Sequence, residues 1–148
     1  MTHTTSINPN PTQAKYDALL ADLRTHTAKA VGYPDTRSFL ITVKDEAGET
    51  MGQLWGEVRW HVFHLDIIVV DEAAQEKGVG SELMTAAETL ARQEGCFLMW
   101  LDTYAFQARE FYEKHGFEVF SSFEGSPPHY PHWFMKKALG VPKAESAS

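Results

Sequence analysis

The chain has 148 residues, 43% hydrophobic and 22% charged, which is enough apolar material for one core and too much for a disordered chain. Its 13 basic and 20 acidic residues leave a net charge of -7, so its surface repels phosphate backbones, excludes nucleic acid as an expected partner and mildly favours cationic substrates such as amines. A single cysteine, Cys96, excludes an internal disulfide and a thiolate metal cluster.

Residues 1–11 are rich in Thr and Asn and lack the basic and apolar layout of a signal peptide. No run reaches the ~20 apolar residues of a membrane span. The expectation is a cytoplasmic protein with one domain over residues 12–140, between flexible tails at 1–11 and 141–148.

Tyr16, Leu19, Leu20, Leu23 and Thr27 recur at helical spacing until Gly32 and Pro34 end the pattern. Residues 39–43 read as a strand. Residues 45–49, with Ala47-Gly48, read as a hairpin turn into a second strand over 51–58. Residues 60–70 form a long apolar stretch ending in Ile67-Ile68-Val69-Val70, which suits a strand buried on both faces.

Val79, Leu83, Met84, Ala87, Leu90 and Ala91 form an apolar helical stripe that Gly95 stops. Residues 97–101 return to strand, with Cys96 a small buried residue before them. Ala105, Ala108, Phe111, Tyr112 and His115 fit another helix, closed by Gly116. Residues 117–120 read as a strand, and 133–135 begin a last one after a proline-rich loop. This order predicts an α/β fold, a mixed sheet with helices on its faces.

Between strand and helix runs Gln75-Glu76-Lys77-Gly78-Val79-Gly80. Gly78 and Gly80 let the backbone approach an anion where the first helical amides lack intrahelical partners and the helix dipole favours negative charge. A pyrophosphate group suits such a site. It is not a P-loop, because Ser81-Glu82 follows Gly80 in place of Lys-Ser/Thr. Nor is it a dinucleotide fingerprint, because Leu83 stands where a small residue is required.

The run Gln75-x-x-Gly78-x-Gly80, with Ser81-x-Leu83-Met84 after it, resembles the acetyl-CoA signature of the GNAT superfamily of N-acetyltransferases. Phe111-Tyr112-Glu113-Lys114-His115-Gly116-Phe117 resembles the superfamily's Phe-Tyr-x-Lys-x-Gly-Phe run. The resemblance extends over residues 39–139. It implies a mostly antiparallel twisted sheet flanked by helices. It also implies that the amides of Gln75, Glu76, Lys77, Gly78, Val79 and Gly80 hold the CoA pyrophosphate. The backbones of Ile68, Val69 and Val70 would then pair with the pantetheine arm like an added strand.

By the same resemblance Tyr112 is the general acid for the leaving thiolate, a role that suits a phenol carrying its proton without charge. An Asn that many members carry three residues before the position of Ala108 is replaced here by Ala105, so that contact is not expected. The segment from Asp102 to Ala108 resembles a bacterial subgroup.

The attacking amine must lose a proton. Candidate acceptors are Glu57, His64 and Asp66; His64 and Asp66 stand two apart on a strand, where alternation gives them one face as base and orienter or as a structural pair. Asp66 also matches an acidic position of that subgroup. No metal is expected. His61 and His64, three apart in one strand, face opposite sides, and His129 and His132 flank Pro131 with no nearby carboxylate, more in keeping with the substrate mouth. Tyr33, Trp55, Trp60, Phe63, Tyr130 and Trp133 belong to that mouth or to the core.

The expected reaction is acetyl transfer from acetyl-CoA to a primary amine of a small molecule. A protein or peptide amine is the alternative acceptor, and a non-catalytic acyl-CoA-binding module the alternative class. A homodimer is common in the superfamily, though no residue here points to one.

Overall fold

The computed structural model describes residues 2–31, 36–104, 106–124 and 131–140. Its contacts divide the chain into two compact units, Met1–Pro34 and Asp35–Ser148. The first holds helix α1 (Gln13–Val31), where the sequence pattern predicts one. Thr12 starts it, its hydroxyl accepting the Lys15 amide at 3.2 Å and so satisfying one amide of the first turn.

The second unit is a six-stranded sheet with two helices. In chain order it contains β1 (Thr36–Lys44), β2 (Thr50–Arg59), β3 (Val62–Val70), α2 (Val79–Gln93), β4 (Leu98–Thr103), α3 (Phe106–Lys114), β5 (Glu118–Phe123) and β6 (His132–Ala138). The strand order is β1-β2-β3-β4-β6-β5, antiparallel at every junction except β3 with β4. This is the mixed, mostly antiparallel sheet that the sequence predicts.

Local chemistry explains the first turn. The Asp45 carboxylate accepts the amides of Ala47 and Glu49, each at 2.9 Å, and Gly48 takes the positive φ that closes the hairpin. The next turn is less legible. Arg59 pairs with Val62, so Trp60-His61 is a two-residue loop with φ of 46° and 64°. Residues with side chains are strained there, by roughly 1–2 kcal/mol each. The His61 carbonyl accepts the Phe97 amide at 2.9 Å, tying the turn to the strand beside it. Trp60 and His61 therefore belong to a turn, and alternation along a strand does not apply to His61.

A β-bulge corrects the reading of β3. Trp55 pairs with Ile67 and Gly56 with Leu65, which leaves Asp66 as the extra residue. The phase of burial shifts across it: Phe63 and Leu65 are buried before the bulge, Ile68 and Val70 lie partly covered after it, and Ile67 and Val69 are exposed. The strand is thus not buried on both faces.

The core lies between the sheet and its helices. Leu54, Phe63, Met99, Leu101 and Met135 come from the strands and Leu83 from α2, all essentially solvent-free. Burial of such side chains contributes about 1.5–3 kcal/mol each. Cys96 is buried with them, as are Phe63 and Trp133 from the aromatic set, whereas Trp55 and Trp60 are exposed. Tyr33 and Tyr130 lie outside the described residues.

One feature of the sheet prepares the site. The β3–β4 ladder runs only from Val62/Leu98 to His64/Trp100. Beyond it the two parallel strands part, and the far half of β3 is paired on the β2 side alone among the described residues.

Candidate active site

Where β3 ends, Glu72–Ala74 makes one short helical turn and the chain enters the loop before α2. Glu76 and Gly78 both have positive φ, 71° and 80°. Such alternation folds successive amides into a concavity suited to an anion. Gly78 caps α2 and its carbonyl accepts the Glu82 amide at 3.0 Å. The amides of Val79, Gly80 and Ser81 follow it in the first turn, where no intrahelical carbonyl is available. The amides of Gln75 and Lys77 are used within the loop, donating to Asp71 at 3.0 Å and to Ala74 at 3.2 Å. The Gln75 side chain reaches back to the Val70 carbonyl at 3.4 Å.

The two glycines are needed for different reasons. Gly78 has open space around a would-be Cβ but a left-handed backbone. Gly80 has an ordinary φ, and a Cβ there would come within 3.1 Å of the Phe111 ring. That ring comes from α3, so it packs α3 against the start of α2.

A cavity of about 500 Å³ opens at this junction. It is lined by Ile68 and Val70 of β3, by Gln75, Glu76, Gly78, Val79, Gly80 and Ser81, and by Ala108, Phe111 and Tyr112 of α3. The loop, the parted edge of β3 and the tyrosine, distant in sequence, thus line one space. Val69 and Lys77 are not among the lining residues, as alternation along a strand and a loop side chain turned outward would give. Ser81, Ala108 and Phe111 add to the set named from the sequence.

Tyr112 is buried, 6% exposed. Burial, and secondarily the negative charge of Asp102, push its phenol above the ordinary value. It therefore holds its proton through the neutral range, as a general acid must. Its ring meets Phe111 edge-on at 5.3 Å. The neighbouring His115 shares a hydrogen bond with Ser81 Oγ at 3.2 Å, and burial, then the Lys137 charge, lowers its pKa. At neutral pH it is therefore uncharged.

On the sheet, His64 stacks on Trp100, ring centres 4.0 Å apart. The carboxylate beside it is that of Asp102, with Oδ1 at 4.0 Å from His64 Nε2. Asp66 is instead the exposed bulge residue, where two-residue alternation no longer fixes a shared face with His64. Asp102 Oδ2 also stands 2.6 Å from His132 Nε2. The expectation that His132 is a loop residue without a carboxylate nearby is thus overturned: it is the first residue of β6, next to the strand that carries Asp102. His129 lies outside the described residues. Among the described residues no group of three His, Cys, Asp or Glu side chains is placed to hold a metal ion, and no helix is long and apolar enough to cross a membrane.

Comparison with known proteins agrees with this geometry. The model of the acetyltransferase (GNAT) family matches residues 5–117. The chain is 38% identical over 95 residues to the blasticidin-S acetyltransferase of Streptomyces morookaense, covering 64% of this chain and 70% of that protein. A crystal structure of an acetyltransferase from Bacillus cereus ATCC 14579 superposes with a TM-score of 0.78 at 28% identity, over 90% of this chain and 98% of that one. An acetyltransferase structure from Agrobacterium tumefaciens shares the fold with a TM-score of 0.84 at 22% identity, over 93% and 100% of the two chains. The chain belongs to the GNAT family of acetyltransferases.

Proposed function

We propose that this enzyme transfers the acetyl group of acetyl-CoA to the primary amine of a small molecule. The observation that carries the reading is the single cavity shared by the loop at Gln75–Gly80, the free edge of β3 and Tyr112. The amino terminus of α2 suits a pyrophosphate. The backbone of Ile68, Val69 and Val70 offers a strand edge to an extended amide-bearing arm. When bound, acetyl-CoA supplies an acetyl thioester whose sulfur leaves as a thiolate.

Tyr112 is the proton donor in this reading. Its raised pKa keeps the phenol protonated until the sulfur develops charge. His64 is the proton acceptor on the other side of the reaction, a role that the unpartnered Nε2 of its ring favours. The small-molecule acceptor is supported by the relative named for acetylation of blasticidin-S.

The test is release of CoA from acetyl-CoA across a panel of amines: tyramine, spermidine, kanamycin, an amino nucleoside and a peptide with a free amino terminus. Turnover of a small amine supports the reading. Turnover of the peptide alone would transfer the activity to protein amines. Tight acetyl-CoA binding with no turnover at all would favour a binding module.

A further inference from the structure

Asp102 has more partners than its place on β4 requires. Its Oδ2 lies 2.6 Å from His132 Nε2. A carboxylate only accepts hydrogen bonds, so this nitrogen carries the proton. The His132 ring is clamped in turn by Tyr104, stacked at 4.0 Å, and by Phe134 and Phe123 at 4.5 and 5.9 Å. Oδ1 faces the other histidine at 4.0 Å. His64 Nε2 is buried and has no hydrogen-bond partner, and leaving a buried polar atom without one is costly. The carboxylate itself is 36% exposed, so a ligand can reach it. It also stands at the point where β3 and β4 part, because the ladder ends at His64 and Trp100.

We propose that Asp102 receives the acceptor's ammonium group on Oδ1, and that His64 Nε2 is the terminus of the proton path, with His132 holding the carboxylate in place. This inference rests on the acetyl-transfer reading above and deepens it by naming the acceptor's anchor. The steps balance. The ammonium gives one proton to Asp102, which passes it to His64 Nε2, leaving an imidazolium beside a carboxylate. The freed nitrogen lone pair forms the C–N bond to the thioester carbonyl carbon. The C–S bond breaks, and sulfur takes the Tyr112 proton. The second proton of the nitrogen leaves to solvent, His64 gives up its proton to solvent as the products depart, and Tyr112 is protonated again from solvent.

The site selects a small cationic amine. The negative charge of Asp102 also bears on Tyr112, where after burial it helps to hold the phenol above its ordinary value. A second space of about 280 Å³ adjoins His64, lined by Glu57, Arg59, Val62 and Trp100, where Glu57 is already paired with Arg59 at 2.9 Å. The charged and titratable groups about His64 are therefore Asp102 on β4 and the Glu57–Arg59 pair on β2. Those about Asp102 are His64, His132 on β6 and Tyr112 on α3.

The experiment compares Asp102→Asn with Asp66→Asn, using the first panel amine that the parent acetylates. For Asp102→Asn, kcat/KM should fall about 10²-fold at neutral pH, and the loss should shrink as pH rises towards the pKa of the amine, which then deprotonates unaided. Calorimetric affinity for acetyl-CoA should hold, and Asp66→Asn should lose less. As a second pair, His132→Gln keeps an N–H donor for Asp102 and should retain more activity than His132→Phe. An Asp102→Asn variant with the parent's rate and pH profile, a larger loss at Asp66, or equal losses in the two His132 variants would overturn the proposal alone. A parent that acetylates no panel amine would overturn it together with the acetyl-transfer reading.

Discussion

The Phe111 ring edge lies 3.1 Å from where a Cβ on Gly80 would stand, so the first turn of α2 and the middle of α3 touch through the absence of one side chain. Gly80→Asp would displace that ring and set a carboxylate at the helix end proposed for the pyrophosphate. Acetyl-CoA affinity, measured by calorimetry on the folded variant, should fall by at least about 100-fold, near 2.7 kcal/mol. Gly80→Ala should weaken it less, and Phe111→Leu in the same chain should restore part of the loss, because the two residues are in contact. Unchanged affinity in Gly80→Asp would remove this end of α2 from the binding site.

Tyr112→Phe removes only the hydroxyl and leaves the ring against Phe111 and Phe117. Turnover should fall by about 10²–10⁴-fold while acetyl-CoA affinity holds. The raised phenol pKa also links to stability. Its contribution is complete below the ordinary value of 10.0 and is lost as pH rises above it, because the unfolded phenol ionises first. Chemical denaturation between pH 8 and 11 should show a shallower alkaline decline in Tyr112→Phe than in the parent. Parent-level turnover in that variant would take Tyr112 out of the mechanism.

Lys137 hydrogen-bonds Glu88 and also donates to the His115 carbonyl at 2.8 Å. The Lys137 hydrogen bond, outweighing the opposing cost of burial, holds the Glu88 carboxyl below its ordinary value. Stability from this pair is present above pH 4.5 and lost as pH falls through the lower folded value. Glu88→Gln should cost up to about 1 kcal/mol at pH 7, since both side chains keep some solvent contact. The difference from the parent should shrink progressively in urea melts as pH falls below 4.5. A difference that persists at low pH would assign the effect to packing.

Burial, with the Glu94 charge secondary, pushes the Cys96 thiol up to about 11. At pH 8 the folded protein should therefore react with iodoacetamide at least about 100-fold more slowly than the urea-unfolded chain, since thiolate is the reactive form. Mass spectrometry of labelled samples gives the rates. Equal labelling would show that the segment carrying Cys96, just ahead of β4, opens readily.

Much of this protein was legible in the residues themselves, because the signals are local. The apolar stripe from Val79 to Ala91 marks α2 by its period alone, and Asp45 with Gly48 marks a turn by hydrogen bonding and φ within five residues. Gly78 could be read in the same way, as could the helix that carries Tyr112. The bulge at Asp66 could not, because it exists only in the pairing of β3 with β2, and a one-residue slip reverses every face assignment after it. Nor did spacing show that Gly80 is small for Phe111, a partner 31 residues away, or that Asp102 would face both His64 and His132. Those contacts depend on β6 returning between β4 and β5 and on β3 and β4 parting after a three-pair ladder. Periodicity and turn chemistry act over a few residues, so the sequence by itself determined the elements and the loop. The meeting of side chains across the sheet is decided by strand register and packing, which only the tertiary structure supplies.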